Sequence, residues 1–181
     1  MGNISKIKHY DIANGKGIRT SIFFSGCEHY CKNCFNSELW DFDVGRLFTR
    51  EIYENEIKPT INEHIAGISI LGGEPMHPNN IYNTYSLVWN FRKDFPDKTI
   101  WLWTGYTIDE LLSEEYKEQL DDICKINEVV KNILENIDVL VDGRFIEEQK
   151  DLNLKWCGSS NQRVIDVQET IKQNKIVLLD D

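Results

Sequence analysis

The sequence has no basic stripe, and this absence argues against one large class of partner. Its 20 lysine and arginine residues are outnumbered by 30 aspartate and glutamate residues, which gives a formal net charge of -10 at pH 7. Proteins that neutralise the phosphates of nucleic acids normally carry a basic face or run. We therefore expect no nucleic-acid partner.

The sequence also has no apolar run long enough to cross a membrane as a helix. Residues 1–6 are not followed by the apolar segment of a secretory signal. From these two absences we expect no membrane partner and a cytoplasmic location. The length of 181 residues allows one core of substantial size, so we expect a single domain over residues 1–181.

Cysteine is scarce and unevenly placed. There are five cysteines, an odd number, and three of them fall in the eight-residue stretch Cys27-Glu28-His29-Tyr30-Cys31-Lys32-Asn33-Cys34. Such a set does not suggest a disulfide framework, and in a reducing compartment it suggests a metal site. The spacing C-x3-C-x2-C supplies three local thiolates to a four-iron cluster. One iron is then left without a nearby protein ligand, which leaves a place where a small molecule can coordinate.

A zinc site is the alternative for this loop, with a fourth ligand from His29, Cys124 or Cys157. His29 lies only two residues from Cys27, which is tighter than the usual zinc-ligand spacing. Cys124 falls in a helical pattern and is most simply a buried, small apolar residue. Cys157 precedes the polar segment 158–162. We favour a packing role for its side chain over a role as a fourth metal ligand or a redox thiol. We favour the cluster over zinc.

Strand-length apolar runs alternate with helical patterns along the chain, which predicts an α/β fold with a mostly parallel sheet and right-handed crossovers. The sequence predicts helices that begin near Thr49, Asn80 and Thr107, and one across the acidic stretch 113–135. The predicted strands are residues 20–25, 67–71, 99–103 and 137–141, with weaker ones at 162–167 and 175–179.

Each of the four main predicted strands is followed by an unusual polar or glycine-rich segment. Ligands in parallel sheets bind at the carboxyl ends of the strands, so we expect these segments to share one rim. In strand order they are the cysteine loop, Gly72-Gly73-Glu74-Pro75, Thr104-Gly105-Tyr106 and Asp142-Gly143.

At this rim Gly72 and Gly73 permit close backbone approach, and Glu74 adds an acceptor for the ammonium group of a ligand. Thr104, Asp142 and the segment 159–162 are polar groups near the rim. Each is interpreted either as a contact to ligand or partner, or as a helix cap or turn, and the sequence favours neither.

The cysteine loop after one strand and Gly-Gly-Glu-Pro after the next resemble the signature of radical S-adenosylmethionine enzymes. Over about residues 10–167 the chain is similar to the glycyl-radical-enzyme activases, and to the branch that acts on the anaerobic ribonucleoside-triphosphate reductase. Residues 113–128 look longer than in most members, and no catalytic role is carried onto them. The segments that carry this resemblance are Gly15-Lys16-Gly17-Ile18-Arg19-Thr20, Phe23-Phe24-Ser25-Gly26-Cys27, Cys34-Phe35-Asn36, Trp101-Leu102-Trp103-Thr104-Gly105-Tyr106, Val139-Leu140-Val141-Asp142-Gly143-Arg144-Phe145 and Gly158-Ser159-Ser160-Asn161-Gln162-Arg163.

The resemblance implies an incomplete (βα) barrel of mostly parallel strands. It implies a 4Fe–4S cluster on the three cysteines of the loop, and S-adenosyl-L-methionine as the second cofactor. The implied metal ligands are Cys27, Cys31 and Cys34, and the implied contacts to S-adenosylmethionine are Asn33, Cys34, Phe35, Gly72, Gly73 and Glu74.

The resemblance also implies an oxidoreductase whose protein substrate is the anaerobic reductase. It would take electrons from a low-potential donor such as a flavodoxin. Two other functions stay open: a small radical enzyme acting on a free small molecule, such as a 7-deazapurine synthase, and a non-catalytic iron–sulfur or zinc module. We expect no extra domain that would enclose a small substrate, and an incomplete barrel would leave an opening for a protein segment, which favours the activase.

Overall fold

The computed structural model of the protein describes residues 2–126 and 128–180. Its framework is one seven-stranded sheet with helices between the central strands. The strands are β1 (Asn3–Asp11), β2 (Ile18–Phe24), β3 (Arg46–Leu47), β4 (Ile65–Gly72), β5 (Thr99–Trp103), β6 (Val139–Asp142) and β7 (Arg163–Asp166).

The helices fill the long connections. Short 3-10 turns lie at Ser37–Leu39, Lys58–Thr60 and Glu147–Gln149, and one π-helical turn lies at Tyr53–Ile57. Among the described residues no helix is both long enough and apolar enough to span a membrane. The α-helices are α1 (Arg50–Ile52), α2 (Ile81–Asp94), α3 (Ile108–Leu112), α4 (Glu114–Gln119), α5 (Asp122–Ile126), α6 (Val129–Asn136) and α7 (Val167–Gln173).

The strand order across the sheet is β3-β1-β2-β4-β5-β6-β7. The central strands β2, β4, β5 and β6 pair in parallel, whereas β1 is antiparallel to β2 and β3, and β7 is antiparallel to β6. Most strands therefore run in one direction, which confirms the α/β class and the mostly parallel sheet. The incomplete-barrel geometry stays a prediction.

The four main predicted strands are confirmed as β2, β4, β5 and β6, and the weaker one at 162–167 is β7. The predicted strand at 175–179 forms only one isolated bridge, between Leu178 and Ile165. Strand β1 was not predicted. Much of its surface is exposed, and its nine residues contain few apolar side chains besides Ile4 and Ile7. No apolar run therefore marks it in the sequence.

The helix starts at Thr49, Asn80 and Thr107 are confirmed, and Thr107 forms a capping box with Glu110. The acidic stretch 113–135 was expected to be one helix and this was wrong. It forms α4, α5 and α6, because the chain leaves the helical conformation at Leu120. Asn127, within this stretch, lies outside the described residues.

The central strands are buried on both faces, and alternate residues of each strand point to opposite faces of the sheet. One set, which includes Ile22, Ile70 and Leu102, packs into the large core formed with α2 and α6. The other set faces the inner side of the sheet. There Phe23 and Leu71, with Trp103 packed against them, form a small cluster near the carboxyl ends of the strands.

Arg19 occupies the inner side of the sheet near the other end of these strands, and it is fully buried. Its guanidinium donates hydrogen bonds to the Ser69 hydroxyl (2.8 Å), the Ile68 carbonyl (2.6 Å) and the Thr99 carbonyl (2.8 Å). It also lies over the Trp101 ring, 5.4 Å from the centroid. Burial lowers the pKa of Arg19 to about 10. This one side chain therefore joins β2, β4 and β5 away from the rim.

We expect Arg19→Lys to lower the free energy of unfolding by about 2–4 kcal/mol, since a lysine cannot reproduce the planar fork of donors and hydrogen bonds to a charged group contribute about 1.5–3 kcal/mol each. Denaturant unfolding followed by circular dichroism measures the change. Arg50→Lys is the matched control, because Arg50 is exposed and its guanidinium pairs with Glu54 at the protein surface. An equal, small loss in both variants would contradict the structural role of Arg19.

Candidate functional site

The carboxyl ends of β2, β4, β5 and β6 surround one cavity of about 130 Å³. The predicted rim is therefore confirmed: segments from all four strand ends line the same space. The lining residues are Cys27, His29, Cys31, Cys34, Asn36, Trp40, Leu71, Gly72, Gly73, Glu74, Trp103, Thr104, Gly105, Gly143, Phe145 and Gln162.

A backbone seam joins the entry of the cysteine loop to the segment after β4. The Gly73 N–H donates to the Phe24 carbonyl, and the Glu74 N–H donates to the Gly26 carbonyl, each at 2.8 Å. The buried Asn80 side chain closes the seam, because its Nδ2 donates to the carbonyls of Ser25 and Glu74, each at 2.9 Å. These bonds continue the β2–β4 pairing beyond the strands and fix the residue before Cys27.

The two glycines of the rim are required by this seam. Gly72 has a φ of 113°, in the left-handed region, and a Cβ there would lie 2.5 Å from the Phe24 carbonyl oxygen. A Cβ on Gly73 would lie 2.6 Å from the Gly26 carbonyl oxygen. The close approach expected from the sequence is thus an approach between two segments of the protein itself.

Glu74 is buried, and its carboxylate already accepts four hydrogen bonds. An ammonium group of a ligand would have to replace one of these donors, so Glu74 first serves to hold the wall of the cavity. The donors are the Met76 N–H (2.9 Å) and the Thr104 hydroxyl (2.8 Å) to Oε1, and the Gly105 N–H (2.6 Å) and His29 Nε2 (2.9 Å) to Oε2.

His29 joins the cysteine loop to two other strand ends. Its Nδ1 accepts a hydrogen bond from Arg144 Nε at 3.1 Å, so we assign the ring proton to Nε2, which donates to Glu74. The ring also packs edge-on against Tyr106, 4.6 Å between centroids. The sequence had suggested His29 only as a zinc ligand, and it gave Arg144 no role, because neither contact has a sequence spacing that reveals it.

A second histidine–carboxylate pair lies beside the first. Glu28, in the cysteine loop, contacts Nε2 of the buried His77 at 3.2 Å, and the His77 ring packs against Phe42. In the cysteine loop, Glu28 pairs with His77 and His29 pairs with Glu74. The loop and the segment after β4 therefore each contribute one carboxylate and one imidazole.

Backbone N–H groups lie beside the sulfur atoms of the loop. Two of these donors come from the loop and its exit, and the third comes from the segment after β6. Hydrogen bonds from N–H groups stabilise thiolates and are a usual feature around iron–sulfur clusters. The Asn36 N–H donates to Cys34 Sγ at 3.4 Å. Backbone hydrogen bonding from His29 lowers the pKa of Cys27, and that from Phe145 lowers the pKa of Cys31, each against the larger effect of burial.

Without a metal, burial keeps the Cys27 and Cys31 thiols protonated at neutral pH. Burial raises the pKa of Cys27 to about 12, and the nearby charges of Glu74, Cys31 and Cys34 raise it further. Burial likewise raises the pKa of Cys31. Three thiolates in this cavity therefore need a strongly positive centre, as iron supplies, so the donor set fits an iron–sulfur cluster.

A site for a single metal ion has less support. Within residues 2–126 and 128–180 no three His, Cys, Asp or Glu side chains are grouped in a way that would hold one ion. Cys124, a suggested fourth zinc ligand, is buried in the large core, as expected for a small apolar residue. Cys157 is half-buried and lines a neighbouring cavity, and burial raises its pKa.

This neighbouring cavity has a volume of about 430 Å³ and an aromatic lining that includes Phe35, Trp103, Phe145 and Trp156. It shares Cys34 and other lining residues with the first cavity. Asn33, the remaining suggested ligand contact, is exposed, has a φ of 56° and lines neither cavity.

The segment 159–162 is a clamp on the loop after β6. Gln162 accepts from the Gly158 N–H and donates to the Gly143 carbonyl, each at 2.8 Å. Asn161 donates to the Arg144 carbonyl at 2.8 Å. The segment therefore fixes the loop that carries Arg144 and Phe145.

The two other polar rim residues have different roles. Asp142 is fully buried, accepts from the Ile108 N–H at the start of α3, and pairs with Arg163. It is a structural cap. Thr104 lines the cavity and donates to Glu74, so it belongs to the site wall.

The chain is similar to a known protein family and to several named proteins. Residues 13–165 match the family model described as a 4Fe-4S single cluster domain. Three relatives bear the name anaerobic ribonucleoside-triphosphate reductase-activating protein. The protein of Vibrio cholerae is 41% identical over 84% of this chain and 90% of its own length. That of Escherichia coli K12 is 39% identical over 85% and 92%, and that of Enterobacteria phage T4 is 33% identical over 90% and 92%.

We expect Gly73→Ala to lower the iron content of reconstituted protein several-fold, because the new Cβ strikes the Gly26 carbonyl and displaces Cys27. Iron and sulfide assays measure the content, and circular dichroism measures the folded fraction. Gly17→Ala is the control. It introduces a comparable clash, 2.7 Å from the Ala66 Cβ, at the opposite end of β2. Full iron content in folded Gly73→Ala protein would contradict the role of the seam.

Proposed function

The chain belongs to the family of anaerobic ribonucleoside-triphosphate reductase-activating proteins, and from this premise we propose that it is a radical S-adenosylmethionine activase that generates a glycyl radical on that reductase. The observation that carries the proposal is the meeting of three cysteines and the Gly72–Glu74 segment in one cavity. We also propose that the sheet is the incomplete barrel typical of such enzymes.

We propose Cys27, Cys31 and Cys34 as the ligands of a 4Fe–4S cluster with one open iron. A cluster held there would supply one electron, taken from a low-potential donor such as a flavodoxin, for the reductive cleavage of S-adenosylmethionine to methionine and a 5′-deoxyadenosyl radical, and this radical would remove a hydrogen atom from the substrate. The protein's part is to hold the reactants and to exclude other reactions. The N–H groups directed at the sulfur atoms and the positive charge of Arg144 beside Cys31 suit a cluster that must accept an electron.

The two adjoining cavities match the two halves of S-adenosylmethionine. The first, beside the cysteines and the Gly72–Glu74 wall, suits the amino-acid part, and the second has aromatic faces that suit a purine. Phe35 stands at the second cavity, edge-on to Phe145. We propose contacts from Cys34, Phe35 and the Gly72–Glu74 segment, with Asn33 shaping the turn before Cys34.

The opening beside the second cavity suits a protein substrate. Phe35 and Leu152 are both exposed there, and they line the cavity on its outer side. A glycine Cα has no side chain to obstruct entry, and its radical is stabilised by both adjacent peptide groups. The residues that hold the segment in place decide which hydrogen atom is removed.

Anaerobically reconstituted protein should contain about four irons per chain. We expect Cys27→Ala, Cys31→Ala and Cys34→Ala to abolish the cluster, because each removes one of the three proposed ligands. Cys124→Ala and Cys157→Ala carry the same substitution outside the proposed ligand set and should keep it. Iron and sulfide analysis with absorption spectra measures the result. Loss of the cluster in Cys157→Ala would identify a fourth ligand and contradict the open iron, and zinc in place of iron would contradict the cluster.

Reduced protein mixed with S-adenosylmethionine and the anaerobic reductase of the same organism should produce an organic radical on the reductase. Electron paramagnetic resonance detects it, and deuterium at the glycine Cα should change its splitting because the coupled hydrogen is replaced. Cys31→Ala protein is the control and should give no radical. Cleavage of S-adenosylmethionine without a reductase radical would favour a small-molecule enzyme, and an intact cluster without any cleavage would favour a non-catalytic module.

A further inference from the structure

Trp40 lines the cavity of the three cysteines, yet the contacts described above give it no role. Its indole Nε1 is buried and has no hydrogen-bond partner among the described residues. An indole N–H is a donor only, and a buried donor left unpaired costs about 1–3 kcal/mol. The position therefore calls for an acceptor that residues 2–126 and 128–180 do not supply.

The backbone holds Trp40 against the cysteine loop. The Cys27 N–H donates to the Trp40 carbonyl at 3.0 Å, and the Gly26 N–H donates to the Leu39 carbonyl at 2.8 Å. The ring packs edge-on against Tyr30, with 5.3 Å between centroids. Trp40 is thus anchored both to a cysteine of the loop and to the residue before the next cysteine.

Trp103 provides an internal comparison. It lines the same cavity, but its Nε1 donates to the Trp156 carbonyl at 2.8 Å. Of these two indole groups only that of Trp40 has its donor uncommitted. The buried carboxylate of the cavity, Glu74, already accepts four hydrogen bonds. A cluster held by the three cysteines would add its inorganic sulfide atoms to this cavity, and none of the donors described above is assigned to them.

We propose that Trp40 Nε1 donates a hydrogen bond to a sulfur atom of the iron–sulfur cluster and thereby raises its reduction potential. The proposal rests on the cluster component of the proposed function. An added electron places more negative charge on the sulfur atoms, and a nearby N–H dipole stabilises that charged, reduced state. Trp40 is on this account a positioning and tuning residue, separate from the ligands.

The test is a redox titration of the reconstituted cluster without S-adenosylmethionine, followed by electron paramagnetic resonance. Trp40→Phe keeps an aromatic ring against Tyr30 and removes the donor. At a fixed solution potential we expect the ratio of reduced to oxidised cluster to fall about tenfold, which is about 59 mV for a one-electron couple. Trp103→Phe, the matched control, removes an indole N–H that is already committed elsewhere and should leave the ratio unchanged.

A second measurement starts from the wild-type protein. Protein that carries ¹⁵N in its tryptophan indoles should show a ¹⁵N hyperfine coupling to the reduced cluster, together with an exchangeable proton that disappears in D₂O. The ¹⁵N coupling should be lost in Trp40→Phe and kept in Trp103→Phe. Where Trp40→Phe fails to fold, a coupling kept in Trp103→Phe still points to Trp40, the other indole that lines the cavity.

Three outcomes would overturn the role of Trp40: equal potentials in wild type and Trp40→Phe, equal shifts in both variants, or a ¹⁵N coupling that is absent or arises only with S-adenosylmethionine bound. Each of these leaves the cluster, and so the proposed function, intact. Wild-type protein that binds no iron–sulfur cluster would instead contradict the proposed function and the inference together.

Discussion

The backbone seam between the end of β2 and the segment after β4 is the interaction on which the site depends. Two N–H groups from Gly73 and Glu74 and one buried amide from Asn80 bind consecutive carbonyls just before Cys27. A flexible loop could not keep three cysteines at one cavity without such support, because ordering each residue has an entropic cost of about 1–2 kcal/mol. The absence of side chains at Gly72 and Gly73 lets the two segments come this close.

The electrostatics of the site is set by the buried carboxylate of Glu74, which lies near the three cysteine thiols of the loop. Glu74 would repel thiolates at Cys27, and burial already raises the pKa of that thiol. The protein offsets this by placing His29 between Glu74 and Arg144, and by directing N–H groups at the sulfur atoms. Arg144 in turn contacts Glu110, so cationic and anionic groups alternate outward from the cavity. At Cys31 the nearby positive charge of Arg144 therefore favours the thiolate, although the chain as a whole is negatively charged.

The rim is built from parts with separate tasks. Arg19 ties the central strands together away from the cavity, and the clamp of Asn161 and Gln162 fixes the loop after β6. The strand ends then carry the groups that face a ligand. This separation explains why several conspicuous polar residues, Asp142 among them, prove to support the structure rather than the chemistry.

The sequence by itself determined the central strands, the helix starts at Thr49, Asn80 and Thr107, and the sharing of one rim by the cysteine loop and the Gly-Gly-Glu-Pro segment. These follow from local patterns: apolar runs, capping residues and the rule that parallel strands end at one edge. Only the tertiary structure decided what each rim residue does. The four bonds of Glu74, the bridge from His29 to Arg144 and the unpaired indole of Trp40 join residues that are distant in sequence or unrelated by any periodic spacing. Hydrogen bonding of this kind depends on where side chains meet in space, and a linear pattern of residues does not contain that information.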